Sequence, residues 1–357
     1  MAISRRRRIA VVPGDGIGIE VLNEQKKLLA LINNRRSLGL ELVDKDWGAE
    51  RWLLEKVGLP KGALADLSAN YDAITFGALG DPRVPDMAHG REILLGMRQG
   101  LDLYANIRPI RCMDEALSPL KGKGEKEINF VCFRENTEDL YVSLGGTFKE
   151  GSIDEVAQDI SINTRKGVER IIRAAFEYAK KNGRKKVTMT DKHNAVRFGG
   201  GLWKRTFALV AQDFPSIETD HLFVDVAAME FVRRPERFDV VVGNNLFGDI
   251  LTDLGAALMG GLGLAASANI HPGRIGLFEP VHGSAPDIVG KGIANPLAAF
   301  STASMMLDFL EAPEEARLID DAVRLAVKQG PRTPDLGGTA KTADITTFVL
   351  DTVALGL

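Results

Sequence analysis

An α/β fold with mixed sheets, in two lobes and outside the Rossmann class, is what this sequence predicts. Short apolar runs alternate with helix-length amphipathic segments along the whole chain, the pattern of a sheet covered by helices. At 357 residues the chain exceeds one small core and suits two domains or one large α/β unit. Its glycine-rich strand-to-helix turn lacks the spacing of a dinucleotide fingerprint.

In chain order, a strand over Arg8–Val12 enters the glycine turn and a helix over Gly18–Ile32. Strands at Leu40–Asp44 and Ala73–Phe76 follow, then a helix at Arg91–Gly100 and strands at Tyr104–Arg108 and Asn129–Arg134. Gly145–Asn163 mixes Gly, Thr and Ser with Val156, Ile160 and Ile162, which predicts a β-arm near 145–163; such arms often pair between subunits. Helices at Asn163–Lys181, Gly199–Gln212 and Ala227–Arg233 alternate with strands at Lys186–Thr190, Leu222–Asp225 and Val240–Gly243. A helix at Asp249–Gly260, a strand at Gly276–Glu279 and helices at Ala298–Leu310 and Pro313–Gln329 complete the pattern. No repeat, low-complexity tract or linker interrupts it. The lobes must therefore be cut from continuous chain, 1–103 plus 261–357 against 104–260.

Composition excludes several classes. A net charge of −3 with 45% hydrophobic and 26% charged residues gives no reason to expect nucleic acid or a membrane surface as partner. The basic run Arg5 to Arg8 is followed by only Ile9-Ala10-Val11-Val12 before Pro13, too short for a signal-peptide core. Two cysteines, Cys112 and Cys132, make no disulfide framework. A cytoplasmic protein is expected.

The stretch Asn244-Asn245-Leu246-Phe247-Gly248-Asp249-Ile250-Leu251-Thr252-Asp253-Leu254 is the most informative. An i, i+4 carboxylate pair shares one helix face, and two such charges repel unless a cation or a basic group lies between them. Mg²⁺ or Mn²⁺ is the economical partner in apolar surroundings. A solvated helix face is the competing reading, and the commoner one for an isolated pair. Arg98 lies near a helix end, and Arg108 and Arg134 end two apolar strands, where open sheets bind ligands. Their planar forks suit a substrate with two carboxylates. Tyr141 and Lys192 add acid/base potential, Lys192 closing the strand Val187–Asp191. A cationic neighbourhood or desolvation would lower that lysine's pKa towards catalytic use.

The N-terminal turn Gly14-Asp15-Gly16-Ile17-Gly18 imitates a dinucleotide site, with Asp44 as the ribose acid. Its third glycine comes one residue early for G-x-G-x-x-G, and Asp15 would oppose a pyrophosphate at the helix N-terminus. The turn is expected only to edge a ligand cleft.

Together these residues resemble the β-decarboxylating dehydrogenase family, which includes isopropylmalate, isocitrate, homoisocitrate and tartrate/D-malate dehydrogenases. The resemblance runs from Pro13–Gly18 to Thr333–Gly338 and is most specific in Asn244–Asp253 and in Phe278–Ile288, continuing to Asn295-Pro296. It implies the isocitrate/isopropylmalate dehydrogenase-like fold, with 1–103 plus 261–357 as the cofactor-binding lobe. Residues 104–260 would be the substrate, metal and dimerisation lobe. Arg98, Arg108 and Arg134 would bind the carboxylates of a malate-type substrate. Asp249 and Asp253 would hold Mg²⁺ or Mn²⁺, joined by Asp225 from the second subunit of a homodimer or larger oligomer. Tyr141 and Lys192 would be the acid/base pair, with Lys192 also reaching across the dimer. NAD would be bordered by His282, Gly283, Ser284, Ala285, Asp287, Ile288 and Asn295, with Asn194 near the nicotinamide or substrate. The charge of Asp287 would repel the 2′-phosphate of NADP.

Specificity is expected in Gly90–Arg98. Leu94 and Leu95 resemble the leucine pair of isopropylmalate and tartrate/D-malate enzymes, whereas Arg91 stands where isopropylmalate enzymes usually carry glutamate. Arg134–Tyr141 and Pro235–Asp239 look more like the isocitrate and tartrate branches. The resemblance thus implies oxidative decarboxylation of a (2R)-malate-type acid, 3-isopropylmalate or tartrate/D-malate favoured. A homoisocitrate or isocitrate dehydrogenase, and a non-catalytic regulatory subunit, are the alternatives. A simple dicarboxylate-binding protein would not need the cofactor block.

Overall fold

The computed structural model describes residues 6–356, so Arg5 of the basic run lies outside the described residues. The chain opens with β1 (Arg7–Gly14), α1 (Ile17–Arg36), β2 (Leu40–Asp44), α2 (Ala49–Glu55), α3 (Ala63–Asn70) and β3 (Ala73–Ala78). A helical stretch follows as α4 (Ala88–Gly90), a π-helical turn at Arg91–Leu95 and α5 (Gly96–Gly100). Next come β4 (Ala105–Arg111), β5 (Asn129–Glu135), the hairpin β6 (Gly145–Phe148) and β7 (Val156–Asp159), and α6 (Arg165–Lys181). Then β8 (Lys186–Asp191), α7 (Arg197–Ala211), β9 (Glu218–Phe223), α8 (Val224–Arg233), β10 (Val240–Gly243) and α9 (Asn245–Leu258) alternate. The chain ends with β11 (Ala266–His271), β12 (Ile275–Pro280), α10 (Leu297–Phe309), α11 (Pro313–Gln329) and α12 (Thr342–Gly356). No described helix is long and apolar enough to cross a membrane.

Two compact units emerge. The first takes the described residues up to Leu103, Arg111–Glu125 and those from Ala256 onward; the second takes Tyr104–Ile110 and Lys126–Gly255. Residues 111–125 and 256–260 therefore join the first unit, where the continuous reading 104–260 had left them with the second.

In the first unit the strand order is β2-β1-β3-β12-β11. β1 runs parallel to β2 and β3, β3 parallel to β12, and β11 antiparallel to β12, giving a mixed sheet. Every residue of β3 is buried, which is why its sequence does not alternate; its one polar side chain, Thr75, donates its hydroxyl to Gln25 Oε1 at 2.7 Å. One cluster joins Val12, Ile74, Phe76, Met97, Leu101 and Leu277; another joins Val11, Ile17, Leu22 and Ala299. At about 1.5–3 kcal/mol per buried side chain, such layers outweigh the poor strand propensity of Ala, Ser and Asn in β11.

The glycine turn is a structural knot. Gly14 has φ +68°, and a Cβ there would stand 1.9 Å from the Ala78 carbonyl oxygen. Asp15, nearly buried, accepts hydrogen bonds from the Ala49 amide at 2.6 Å, the Gly80 amide at 2.9 Å and His89 Nε2 at 2.8 Å. Its carboxylate ties three segments together, which agrees with rejecting a pyrophosphate there. Gly14→Ala should lower the unfolding free energy by about 2–5 kcal/mol, combining left-handed strain with overpacking. The fall in urea midpoint would measure it, and an unchanged midpoint would refute the close approach.

In the second unit the order is β4-β5-β10-β8-β9, with β5, β10, β8 and β9 parallel. Phe176 of α6 stacks on Phe214 at 5.1 Å, and Phe231 meets Phe130 and Phe238 edge-on at 4.8 and 4.7 Å. β6 and β7 pair antiparallel with all eight residues exposed, including Phe148 and Val156. Three boundaries differ usefully from expectation. The predicted strand Leu222–Asp225 ends at Phe223, so Asp225 stands in the first turn of α8. α9 starts four residues before Asp249, at Asn245, and the helix expected from Asn163 starts at Arg165, because the Thr164 hydroxyl caps it by accepting from the Gly167 amide.

Candidate functional site

A polar constellation in the second unit gathers on α9. Asp139, held at φ 66°, accepts from the Leu246 amide at 3.0 Å and so caps the helix start. Two residues on, Tyr141 turns its hydroxyl to donate to Asp249 Oδ2 at 2.7 Å. Arg134, 1% exposed, stands one residue before the end of β5; its Nε donates to Asn245 Oδ1 at 2.8 Å and its Nη1 pairs with Asp249. Its guanidinium also lies 5.0 Å from the Tyr141 ring centroid. Arg108 of β4 spans the two acids, Nη1 reaching Asp253 Oδ1 at 3.0 Å and Thr252 Oγ1 at 2.7 Å, Nη2 reaching Asp249 Oδ1 at 3.4 Å. Asn106 holds that fork in plane by accepting from Nε at 3.0 Å.

The carboxylate pair is thus relieved by basic groups, the second of the two physical solutions open to it. Nor is it sealed from water: the Asp249 and Asp253 side chains are 33% and 57% exposed. Burial of its inner side, with the Asp249 charge adding, pushes the Asp253 carboxyl above its ordinary pKa despite Arg108. Two anionic oxygens one turn apart, opposite two buried guanidinium groups, can take a cation and an anion side by side.

Lys192 belongs to a second group. Its Nζ donates to Asp225 Oδ1 at 2.5 Å and lies 5.7 Å from the Phe223 ring. That hydrogen bond holds the exposed Asp225 carboxyl below its usual range. The neighbour found is therefore an anion, so of the two influences that would lower this lysine's pKa, a cationic neighbourhood or desolvation, the first is not what surrounds it. Asn194 is exposed two residues on.

In the first unit, Arg98 is buried and donates through Nη2 to Glu279 Oε1 at 2.8 Å; Asn269 donates to the same oxygen at 2.8 Å. Leu94 and Leu95 are half-buried, Leu94 packing against the unit's core. Arg91 is exposed and donates to the Asp86 carbonyl at 2.7 Å.

The segment His282–Asn295 packs against the glycine turn, where the Ile17 amide donates to the Ser284 carbonyl at 2.9 Å. Gly283 has open space above it, Ala285 adopts φ 41°, Asp287 is exposed and Ile288 leans on the core. His282 turns Nδ1 to its neighbour's carbonyl, while its buried Nε2 has no partner; burial lowers its pKa, so the ring is neutral at neutral pH. Asn295 is committed on both sides, accepting from the Leu297 amide and donating to Asp335 Oδ2, each at 3.0 Å.

Sequence reading missed Glu279 and Asp335 as partners, and a cluster of Asp191, His193 and His221 beside Lys192. Asp191 and His193 bracket the lysine in sequence; His221 lies 30 residues from Asp191, a separation that carries no motif.

Comparison with known proteins gives a consistent answer. The family model described as "Isocitrate/isopropylmalate dehydrogenase" matches residues 8–349. A 3-isopropylmalate dehydrogenase of Streptomyces griseus is 45% identical over 344 residues, covering 95% of this chain and 98% of that protein. A decarboxylating D-malate dehydrogenase of Escherichia coli K12 is 42% identical over 346 residues, covering 95% and 96%. A crystal structure of isocitrate dehydrogenase from Methylococcus capsulatus superposes with a TM-score of 0.88 at 38% identity, covering 97% of this chain and 99% of that one. The chain belongs to the isocitrate/isopropylmalate dehydrogenase family and is a decarboxylating dehydrogenase.

Proposed function

We propose that this enzyme oxidises and decarboxylates a (2R)-malate-type acid with NAD and a divalent cation, 3-isopropylmalate or D-malate/tartrate being the substrate class. The observation that carries the reading is the convergence of Arg108, Arg134 and Tyr141 on the Asp249–Asp253 pair. All-oxygen donors one helical turn apart fit Mg²⁺ or Mn²⁺, and their present partners are arginines that a substrate carboxylate can engage in their stead. When bound, the cation supplies Lewis acidity towards a hydroxyl and a carboxylate oxygen, and the nicotinamide accepts hydride.

The chain's own groups then divide the work. Arg98, Arg108 and Arg134 hold the carboxylates, and their forks fix the carbon to be oxidised. Lys192 Nζ, as the neutral amine left once its ammonium proton has passed to solvent, takes the C2 hydroxyl proton, and Tyr141 Oη delivers a proton to C3 once CO₂ has left. Lys192 and Asp225 pair with each other rather than with Asp249, which supports their serving a neighbouring copy's site in a homodimer. The fully exposed hairpin β6/β7 supports the same assembly, since a lone two-stranded hairpin is marginal in water. The first unit is then the cofactor lobe. Its unpartnered His282 Nε2, open Gly283 and exposed Asp287 suit the adenosine end of NAD, with Asp287 opposing a 2′-phosphate.

Arg91 is engaged with a backbone carbonyl, which favours a small or apolar C3 substituent over a third carboxylate. The test is NADH production with Mn²⁺ across D-malate, 3-isopropylmalate, tartrate, isocitrate and homoisocitrate, each repeated with NADP. Turnover of one of the first three with NAD, at least about tenfold above NADP, is expected; a tenfold preference corresponds to about 1.4 kcal/mol. A tricarboxylate as best substrate would bring Arg91 into the pocket. Silence on every acid would favour a regulatory subunit.

A further inference from the structure

Asp191 at the end of β8, His193 just after it and His221 on β9 bring together three metal-ligating side chains that the proposed reaction leaves unused. Asp191 is 4% exposed, and its carboxylate accepts from both imidazoles, His221 Nε2 at 2.8 Å and His193 Nδ1 at 3.0 Å. One ligand atom from each residue lies within 4.8 Å of the other two. Phe223 covers one side of the group, its ring centroid 5.0 Å from that of His193 and 5.6 Å from that of His221. The imidazoles keep an edge in solvent, with side chains 23% and 29% exposed.

We propose that Asp191, His193 and His221 form a binding site for a borderline divalent transition metal, zinc foremost, distinct from the Asp249–Asp253 pair. Donor chemistry separates the two sites. Imidazole nitrogens favour zinc, cobalt and nickel, whereas carboxylate oxygens alone suit magnesium and manganese. Two histidines and a carboxylate also leave a fourth position for water on the solvent side. Zinc bonds of about 2.0–2.1 Å set tetrahedral ligands roughly 3.3 Å apart, so each Asp–His contact opens by about half an ångström while the histidine nitrogens draw together. On binding, the metal takes the place of the ring proton on each nitrogen facing Asp191, and that proton passes to the ring's opposite nitrogen or to solvent. Because Lys192 lies between Asp191 and His193, the metal would fasten both residues that flank it.

The same contacts could instead be only a hydrogen-bonded tie between β8 and β9, and zinc binding separates the two. The folded full-length chain is dialysed against micromolar Zn²⁺ with millimolar Mg²⁺ present. One zinc per chain is expected in the unaltered protein and in Asp249→Asn, with affinity falling about tenfold or more in His193→Gln and in His221→Gln. Glutamine can still donate to Asp191, so the tie itself survives these substitutions. Ring-proton NMR reads the unaltered protein independently: of its five histidines, two should shift on zinc addition. No retained zinc, undiminished affinity in both glutamine variants, or an unmoved histidine pair would overturn the site.

Discussion

Lys192→Met should lower kcat about 10³-fold at neutral pH while leaving NAD affinity and the melting temperature nearly unchanged, the scale expected for loss of a positioned general base. The two halves of that expectation have separate causes. Methionine keeps the unbranched apolar stem beside Phe223, so packing is largely preserved. What disappears is the ammonium that donates to Asp225 at 2.5 Å. Asp225 is exposed, so its carboxylate returns to water instead of being stranded, and surface pairs of this kind contribute little to stability. Its depressed pKa should rise towards the ordinary aspartate value, because the hydrogen bond from Lys192 is the largest cause of the depression. Single-turnover kinetics, with NAD titrated by fluorescence and melting followed in parallel, would check both halves. Retention of more than about a tenth of kcat would sink the assignment, since a general base contributes roughly 10²–10⁴-fold.

How far the sequence reached is clearest at the arginines. Arg108 and Arg134 were legible as strand residues from the apolar runs before them. β4 continues past Arg108 to Arg111 and β5 past Arg134 to Glu135, however, so Arg108 stands inside its strand rather than at its end. The partners of the two arginines were not legible, since Asp253 and Asp249 lie 145 and 115 residues downstream and no local pattern spans such gaps. The four-residue spacing of the acids was readable; their exposure was not, because it depends on what packs against α9. Asp225 shows a different limit. Val224-Asp225-Val226 alternates like a strand, yet it begins helix α8, tertiary packing overriding a short period-2 signal. β11 was missed for the opposite reason: Ala266–His271 has little strand propensity and is carried by its pairing with β12. α2 and α3, at seven and eight residues, are too short to show a helical period.

Asp249→Asn should be nearly as damaging as loss of the lysine, about 10³-fold in kcat/KM, because Lewis-acid stabilisation is worth several kcal/mol. Arg108, Arg134 and Tyr141 all touch this carboxylate, so the variant also tests the constellation as a unit. The amide retains one oxygen for those donors, and Asp249 is partly exposed, which limits the stability loss to about 1–3 kcal/mol. Raising Mn²⁺ should recover part of the rate if weakened cation affinity is the cause. The stronger experiment mixes this variant with Lys192→Met. If Lys192 completes the neighbouring copy's site, a mixed dimer carries both lesions in one site and neither in the other. Random exchange makes half of the dimers mixed, each with one intact site, so about a quarter of the unaltered activity should return from two inactive preparations. No recovery after verified exchange would return Lys192 and Asp225 to their own subunit's site. The exposed hairpin would then have to earn its dimer role from the oligomeric state alone.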